Sequence, residues 1–186
     1  MSRLTDLKRT FSGANNFNAD ISKWDVSRLI EFDYTFEGGP SPGMFSGFNA
    51  DISKWDVSRV RNMFKTFQYN NKFNADISKW KFTKLITLDS AFRGATKFNA
   101  NIGKWDVSQV YNLNYAFRDA SSFNADISKW DVSSVGKLGV GFYGGTSFKL
   151  LILVLFFLSL SHLITLLLSP PKTQQSLKVL PSSMLT

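Results

Sequence analysis

The eight residues Phe17-Asn18-Ala19-Asp20-Ile21-Ser22-Lys23-Trp24 recur at Phe48 to Trp55, Phe73 to Trp80 and Phe123 to Trp130, and once more in altered form as FNANIGKW at Phe98 to Trp105. An active site is assembled from different residues that each arrive once, so a stretch copied this often is a building unit. The tryptophans stand at 24, 55, 80, 105 and 130, giving one interval of 31 and three of 25, and the phenylalanines at 48, 73, 98, 123 and 148 keep the 25. A fixed period in this range is the mark of a stacked repeat, a solenoid, in which no unit buries its apolar face alone.

Written from its Phe, the unit is F-N-A-D-I-S-K-W-D-V-S-x-V-x-x-L-x-x-x-F-x-x-A-x-x, and its halves follow different periods. In the second half Val60, Met63 and Phe67, or Val110, Leu113, Phe117 and Ala120, fall on one face of a helix. Ser58, Ser108, Ser133 and Thr83 stand just ahead of that face, where a hydroxyl can cap a helix N-terminus. In the first half Trp55 and Val57 alternate around Asp56, which predicts a very short strand with both apolar side chains inward. The expected fold class is therefore α/β: a solenoid of about five coils, each one short strand and one helix, stacked at about 4.8 Å per coil. Phe17, Trp24, Phe48, Trp55, Phe73, Trp80, Phe98, Trp105, Phe123 and Trp130 are the expected core. Asn18, Asn49, Asn74, Asn99 and Asn124 are expected to form an internal turn ladder, because buried turn groups need partners.

The run FNADISKWDVS, followed by V-x-N-[LM] and a later F-x-x-A, resembles the 25-residue repeat of the BspA-like surface proteins and mycoplasma-type lipoproteins, relatives of the leucine-rich repeats that also occur in algal proteins. The resemblance covers about residues 2–148. It implies a surface or adhesion role, in some members through host matrix proteins, and no common enzymatic activity.

Composition narrows the chemistry in the same direction. The 186 residues include 18 Phe and 5 Trp, no Cys, and one His, His162, which lies in an apolar run. Disulfides, thiolate nucleophiles and Cys-based zinc sites are excluded, and any triad or His-rich metal site would depend on that single imidazole. We name no catalytic residue, no cofactor and no metal ligand from the sequence. The net charge is +8, of which the part before Lys149 carries +5.

The pattern breaks in four places. Six extra residues around Glu37-Gly38-Gly39-Pro40-Ser41-Pro42-Gly43 lengthen the first copy and predict a protruding loop at about 37–47. The third copy reads Trp80-Lys81-Phe82-Thr83 where the others carry Trp-Asp-Val-Ser. Ser2-Arg3-Leu4 aligns with Ser58-Arg59-Val60, so the sequence opens inside a unit with no visible signal peptide. After Phe148, in register for a sixth unit, NADISKW gives way to KLLILVLFFLSLSHLITLLLSPP.

Leu150 to Leu168 holds 19 residues without a formal charge, long enough to cross a hydrocarbon layer of about 30 Å. The expected organisation is thus a repeat domain over 1–148, a transmembrane helix over 149–169 and a polar, disordered tail over 170–186. A competing explanation of the abrupt change is a mis-joined gene model with an artefactual apolar tail.

Stacking would align Lys23, Lys54, Lys79, Lys104 and Lys129 in one row, Asp20, Asp51, Asp76 and Asp126 in a second, and Asp25, Asp56, Asp106 and Asp131 in a third. Opposite rows neutralise each other and add little stability individually. Lys54, Lys79, Lys81, Lys104 and Lys129, with Pro40 and Pro42 of the loop, are the candidate partner-binding residues. The sequence reads as a non-enzymatic, membrane-tethered surface protein that binds a protein or glycan through its repetitive face, with nucleic acid disfavoured by the acidic rows. End-to-end self-association is open to such a rod. The alternative is a structural spacer array or a piece of a longer one.

Overall fold

The computed structural model describes residues 4–139. Over this range each copy of the repeat forms one coil laid on the one before. Parallel bridges connect Asp6 to Glu31, Glu31 to Asn62, Asn62 to Thr87, Thr87 to Asn112 and Asn112 to Lys137, one residue per coil at the same point of the repeat. Coil 1 runs over 17–47, coil 2 over 48–72, coil 3 over 73–97, coil 4 over 98–122, and coil 5 over the described part from 123.

The expected strand-plus-helix unit is not what these coils are made of. Among the described residues there is no helix, and pairing is confined to isolated bridges. Each coil is a succession of tight turns. Trp55, Trp80, Trp105 and Trp130 each donate their N–H to the carbonyl of the Ile three residues earlier, at 3.0–3.1 Å. Val60, Val110 and Val135 repeat the same turn on Val57, Val107 and Val132 at 2.9–3.0 Å.

Where the helix was expected, two sets of backbone bonds alternate. In coil 2 the N–H groups of Met63, Lys65, Phe67 and Tyr69 reach across to the carbonyls of Thr87, Asp89, Ala91 and Arg93 in coil 3. The intervening N–H groups of Thr66, Gln68 and Asn70 close turns on Met63, Lys65 and Phe67. The backbone donors are thereby divided between the coil and its neighbour, which answers where the polar groups of a buried, non-helical segment go. Positive φ angles at Arg9, Tyr34, Lys65, Ser90 and Tyr115, one position of the repeat, and four residues on at Gly13, Tyr69, Gly94 and Asp119, interrupt any helical path.

The reason is spacing. An α-helix with its side chains is about 10–12 Å across, whereas neighbouring coils bonded directly to one another can advance by only about 4.8 Å. Consecutive turns fit that step and still bring a side chain inward every third or fourth residue. The hydroxyl residues expected as helix caps serve the turns instead. Ser58, Ser108 and Ser133 donate their N–H to Asp56, Asp106 and Asp131, and the Thr83 hydroxyl donates to the Ser58 carbonyl.

Two columns of phenylalanine fill the core. Across each coil boundary a pair stacks face to face, a Phe of one coil on the first of the next: Phe36 on Phe48 at 3.8 Å, Phe67 on Phe73 at 3.8 Å, Phe92 on Phe98 at 4.0 Å and Phe117 on Phe123 at 4.1 Å. Between coils the rings follow at 5.4–5.6 Å in one column, from Phe11 through Phe36, Phe67 and Phe92 to Phe117. Phe48, Phe73, Phe98 and Phe123 are fully buried, as are Ile52, Ile77, Ile102, Val60, Met63 and Leu113. Each such side chain contributes about 1.5–3 kcal/mol relative to an exposed one.

Trp55, Trp80, Trp105 and Trp130 are also buried, and each indole N–H donates to the Ile carbonyl of the preceding coil at 3.0–3.2 Å. Phe17 is only partly buried and Trp24 is 38% exposed, because within the described residues no earlier Ile turn lies over them.

The apolar run Leu150 to Leu168, the segments 149–169 and 170–186, and the sixth unit opened by Phe148 lie outside the described residues. Among the described residues no helix is long and apolar enough to cross a membrane.

Candidate interaction surface

The side of the coil written identically in each copy is held by side chains turned back on the backbone. The Asn49 N–H donates to the Asn18 side-chain oxygen at 2.8 Å, and Asn74, Asn99 and Asn124 continue the column on Asn49, Asn74 and Asn99 at 2.7–2.8 Å. Two residues further on, Asp20, Asp51, Asp76 and Asp126 each accept the N–H of the following Ser at 2.9 Å, and Asn101 does the same for Gly103.

The serine hydroxyl and N–H two residues ahead hold Asp20, Asp51, Asp76, Asp106 and Asp131 below the usual carboxylate range. At Asp126 the N–H of Ser128 is the larger cause and its hydroxyl the second. These oxygens are therefore employed in shaping turns. Lys23, Lys54, Lys79 and Lys129 lower the neighbouring carboxylates further from exposed positions. The row Lys54, Lys79, Lys104 and Lys129 thus lies on the surface beside a row of opposite charge, interrupted at Asn101.

Pro40 and Pro42 stand in an exposed segment, 40–44, extruded from the stack. Its neck is closed by the Gly39 N–H on the Met44 carbonyl at 2.6 Å, by the Gly38 N–H on the Gln68 carbonyl at 2.8 Å and by the Ser46 N–H on the Tyr69 carbonyl at 3.2 Å. Asn15 from the preceding coil donates its side-chain amide to the Gly43 carbonyl at 2.7 Å. A side chain at Gly38 would strike the Ser46 nitrogen and the Tyr69 carbonyl oxygen, so the neck needs glycine. The loop and the lysine row lie on separate parts of the repeat, so the structure does not gather the candidate residues into one pocket.

A second exposed row runs beside the bridges. Ile30, Arg61, Ile86 and Tyr111 occupy one position of successive coils, joined through their backbones by the N–H of Arg61 on Ile30, of Ile86 on Arg61 and of Tyr111 on Ile86 at 2.8–3.3 Å. Ile30, Ile86 and Tyr111 are 40%, 44% and 49% exposed. Two residues earlier stand Arg28, Arg59, Lys84 and Gln109, also exposed, with buried Leu29, Val60, Leu85 and Val110 between the two rows. Lys81 adds a further exposed cation in coil 3.

A 3.6-residue period leaves these positions on the solvent side of a helix, with nothing to single them out. The signal that finds them is variation among otherwise uniform copies: Ile, Arg, Ile and Tyr at one place, Arg, Arg, Lys and Gln at the other.

Along a third line cations cover aromatic faces. The Arg9 guanidinium lies 4.4 Å from the Tyr34 ring centre, and that of Arg93 lies 5.5 Å from both Tyr69 and Tyr115. These contacts tie coils together. Among the described residues no group of three or more His, Cys, Asp or Glu side chains is placed to hold a metal ion.

No curated protein and no solved structure matches the chain. A protein family described as "Mycoplasma protein of unknown function, DUF285" matches it twice, over residues 1–88 and 75–153. The two matches together extend across the entire stack of coils and most of the chain, and the chain therefore belongs to this mycoplasma-type repeat family.

Proposed function

We propose that the protein is a non-enzymatic surface-type repeat protein that binds a protein or a glycan through the exposed face of its coils. The supporting observation is the contrast between two sides of one coil. The Asn, Asp and Trp positions that build the turns are nearly uniform, whereas the exposed pairs Arg28/Ile30, Arg59/Arg61, Lys84/Ile86 and Gln109/Tyr111 change from coil to coil. Stacking needs the first set and makes no use of the variety in the second. Exposed apolar side chains in a row, rimmed by charge, are the composition of an interaction surface.

The likeness of the repeat to BspA-like surface proteins points to adhesion as the setting. Attachment to a membrane through Leu150 to Leu168 belongs to the same reading and rests on the sequence of that run.

The test is a triple variant, Ile30→Ser, Ile86→Ser and Tyr111→Ser, compared with the parent on a printed array of glycans and purified extracellular-matrix proteins. The expected result is capture of a subset of the array by the parent and loss of that capture in the variant. No capture by the parent would support the spacer reading, which the uniform Asn and Phe columns favour, and equal capture by both would show that this row is not the binding surface.

A further inference from the structure

A cluster of exposed cations lies in coils 2 and 3. Arg59 and Arg61, and one coil on Lys81 and Lys84, are all exposed, and none makes an ion pair with another described residue. Lys81 holds in coil 3 the place that Asp56 and Asp106 hold in coils 2 and 4, and these two carboxylates accept the N–H groups of Ser58 and Ser108 at 3.0 Å, turned toward their own backbone. Asp25 borders the patch from coil 1 and accepts the N–H and hydroxyl of Ser27 at 3.1 and 2.6 Å. At the bridge position coils 2 and 3 carry the neutral Asn62 and Thr87, and Glu31, next to Ile30 in coil 1, bridges to Asn62, so one acid borders the patch at its coil 1 end. Arg28 extends the row of cations into coil 1, and Gln109 ends it in coil 4.

Three properties of this patch narrow its partner. First, the cations Arg28, Arg59 and Lys84 recur once per coil, a step of about 4.8 Å. An extended acidic peptide puts same-side carboxylates two residues apart, about 6.6 Å, and falls out of step after the second charge. A duplex nucleic acid presents a phosphate about every 3.4 Å along each strand and falls out of step in the other direction.

Second, Ile30, Ile86 and Tyr111 lie beside the cations, and the Tyr111 ring lies across Gly136, with the Lys137 ammonium 5.8 Å from its centre and half of its surface open. A partner must therefore present apolar surface alongside its charge, as the C–H faces of a pyranose ring do on an aromatic side chain. Third, the surface is an open row with no enclosing walls, which suits a long polymer held by many weak contacts.

We propose that coils 1 to 4 bind an acidic polysaccharide, its carboxylates or sulfates on Arg28, Arg59, Arg61, Lys81 and Lys84 and its ring faces on Ile30, Ile86 and Tyr111. This deepens the binding reading above and rests on it. The chain lies along the stack axis, with successive sugar rings advancing by about one coil.

The test uses the full 186-residue chain and immobilised heparin, polygalacturonate, neutral dextran, poly-glutamate and single-stranded DNA. The expected result is binding to heparin or polygalacturonate that weakens with added salt, and no binding to dextran. The variant Arg59→Gln, Arg61→Gln, Lys81→Gln, Lys84→Gln raises Kd about tenfold or more. The equally charged control Lys54→Gln, Lys79→Gln, Lys104→Gln, Lys129→Gln changes it less than about threefold, because those lysines face a row of carboxylates. All eight positions are exposed, and an unchanged near-UV spectrum of the buried tryptophans shows that both variants keep the fold.

Heparin against polygalacturonate tells sulfate from carboxylate. Equal or tighter binding to poly-glutamate or DNA, or an equal loss in the control variant, overturns the inference. If neither polysaccharide binds while a matrix protein is captured through Ile30, Ile86 and Tyr111, the polysaccharide is refuted and the binding reading survives. If nothing is captured, both fall.

Discussion

Replacing Phe92 by Ala tests whether the stacked phenylalanines hold the coils together. Phe92 is fully buried and packs on Phe98, the first residue of the next coil, at 4.0 Å, on Phe67 and Phe117 at 5.5 Å in the coils before and after, and against Phe73 and Trp105 at 6.4 and 6.2 Å. Truncating a buried Phe costs about 3–5 kcal/mol, the lost transfer energy plus the cavity left behind. The upper part of the range applies here, since turns bonded on both sides at alternate residues cannot close in on the gap. The comparison is Phe11→Ala, at a ring that is only partly buried and has three aromatic neighbours, Phe17, Phe36 and Trp24. Its cost is expected at about half or less.

Urea unfolding followed by tryptophan fluorescence gives both numbers. Because each coil touches only its neighbours, Phe92→Ala should also broaden the transition by uncoupling coils 1–2 from coils 4–5, a lower m-value that Phe11→Ala does not produce. Should the alanine variant fail to fold, Phe92→Leu keeps most of the volume and gives a smaller shift of the same kind. A cost below about 1.5 kcal/mol at Phe92, or equal costs at the two sites, would refute the column as the main source of cohesion.

The carboxylates predict opposite pH responses on the two sides of about pH 4. Asp20, Asp51, Asp76, Asp106, Asp126 and Asp131 titrate lower in the folded chain, which then binds fewer protons than the unfolded one. The stability they supply is complete above the ordinary Asp value of about 3.9 and is lost as the pH falls through their depressed values. Burial raises Asp33 and Glu37, so their contribution is greatest in acid and is lost as the pH rises through their raised values. Urea midpoints measured from pH 7 to pH 2.5 should rise slightly, then fall, and Asp33→Asn should raise the midpoint at pH 7 while flattening the first limb. At Gly94, φ is +68° and a Cβ would lie 2.5 Å from the Tyr69 ring, whereas at Gly13 φ is +72° and the space is open. Gly13→Ala should cost about 1–2 kcal/mol for its left-handed backbone, and Gly94→Ala distinctly more, read as the difference in Tm.

The period of 25 was legible because it is written in residue identity, from Phe48 to Phe123 and from Trp55 to Trp130. The local conformation was not. Apolar residues at Val60, Met63 and Phe67 satisfy a helical face and equally a string of turns whose every third or fourth side chain points inward. What separates the two is the left-handed backbone at Tyr34, Lys65, Ser90 and Tyr115, none of them glycine, and at Tyr69, Gly94 and Asp119, where a glycine announces it in coil 3 alone. The caps misled for a related reason: a Ser beside Asp56 or Asp106 serves a turn as readily as a helix start. On the surface, repetition made the lysine row conspicuous, although repetition marks what stacking needs. The exposed row of Ile30, Arg61, Ile86 and Tyr111 varies between copies and becomes visible only when the coils are laid on one another.

The closed neck of the 40–44 loop makes this stack a natural display scaffold. The six extra residues leave the bridge from Glu31 to Asn62 and the bond from Asn49 to Asn18 in place, so the register resumes as though nothing had been inserted. With the ends of the loop already fixed by Gly38, Gly39 and Ser46, lengthening it costs only loop entropy, about 0.6 kcal/mol for each doubling. Between Pro40 and Gly43 the chain can therefore carry a much longer foreign segment, outside the core and at a fixed place along the row of coils.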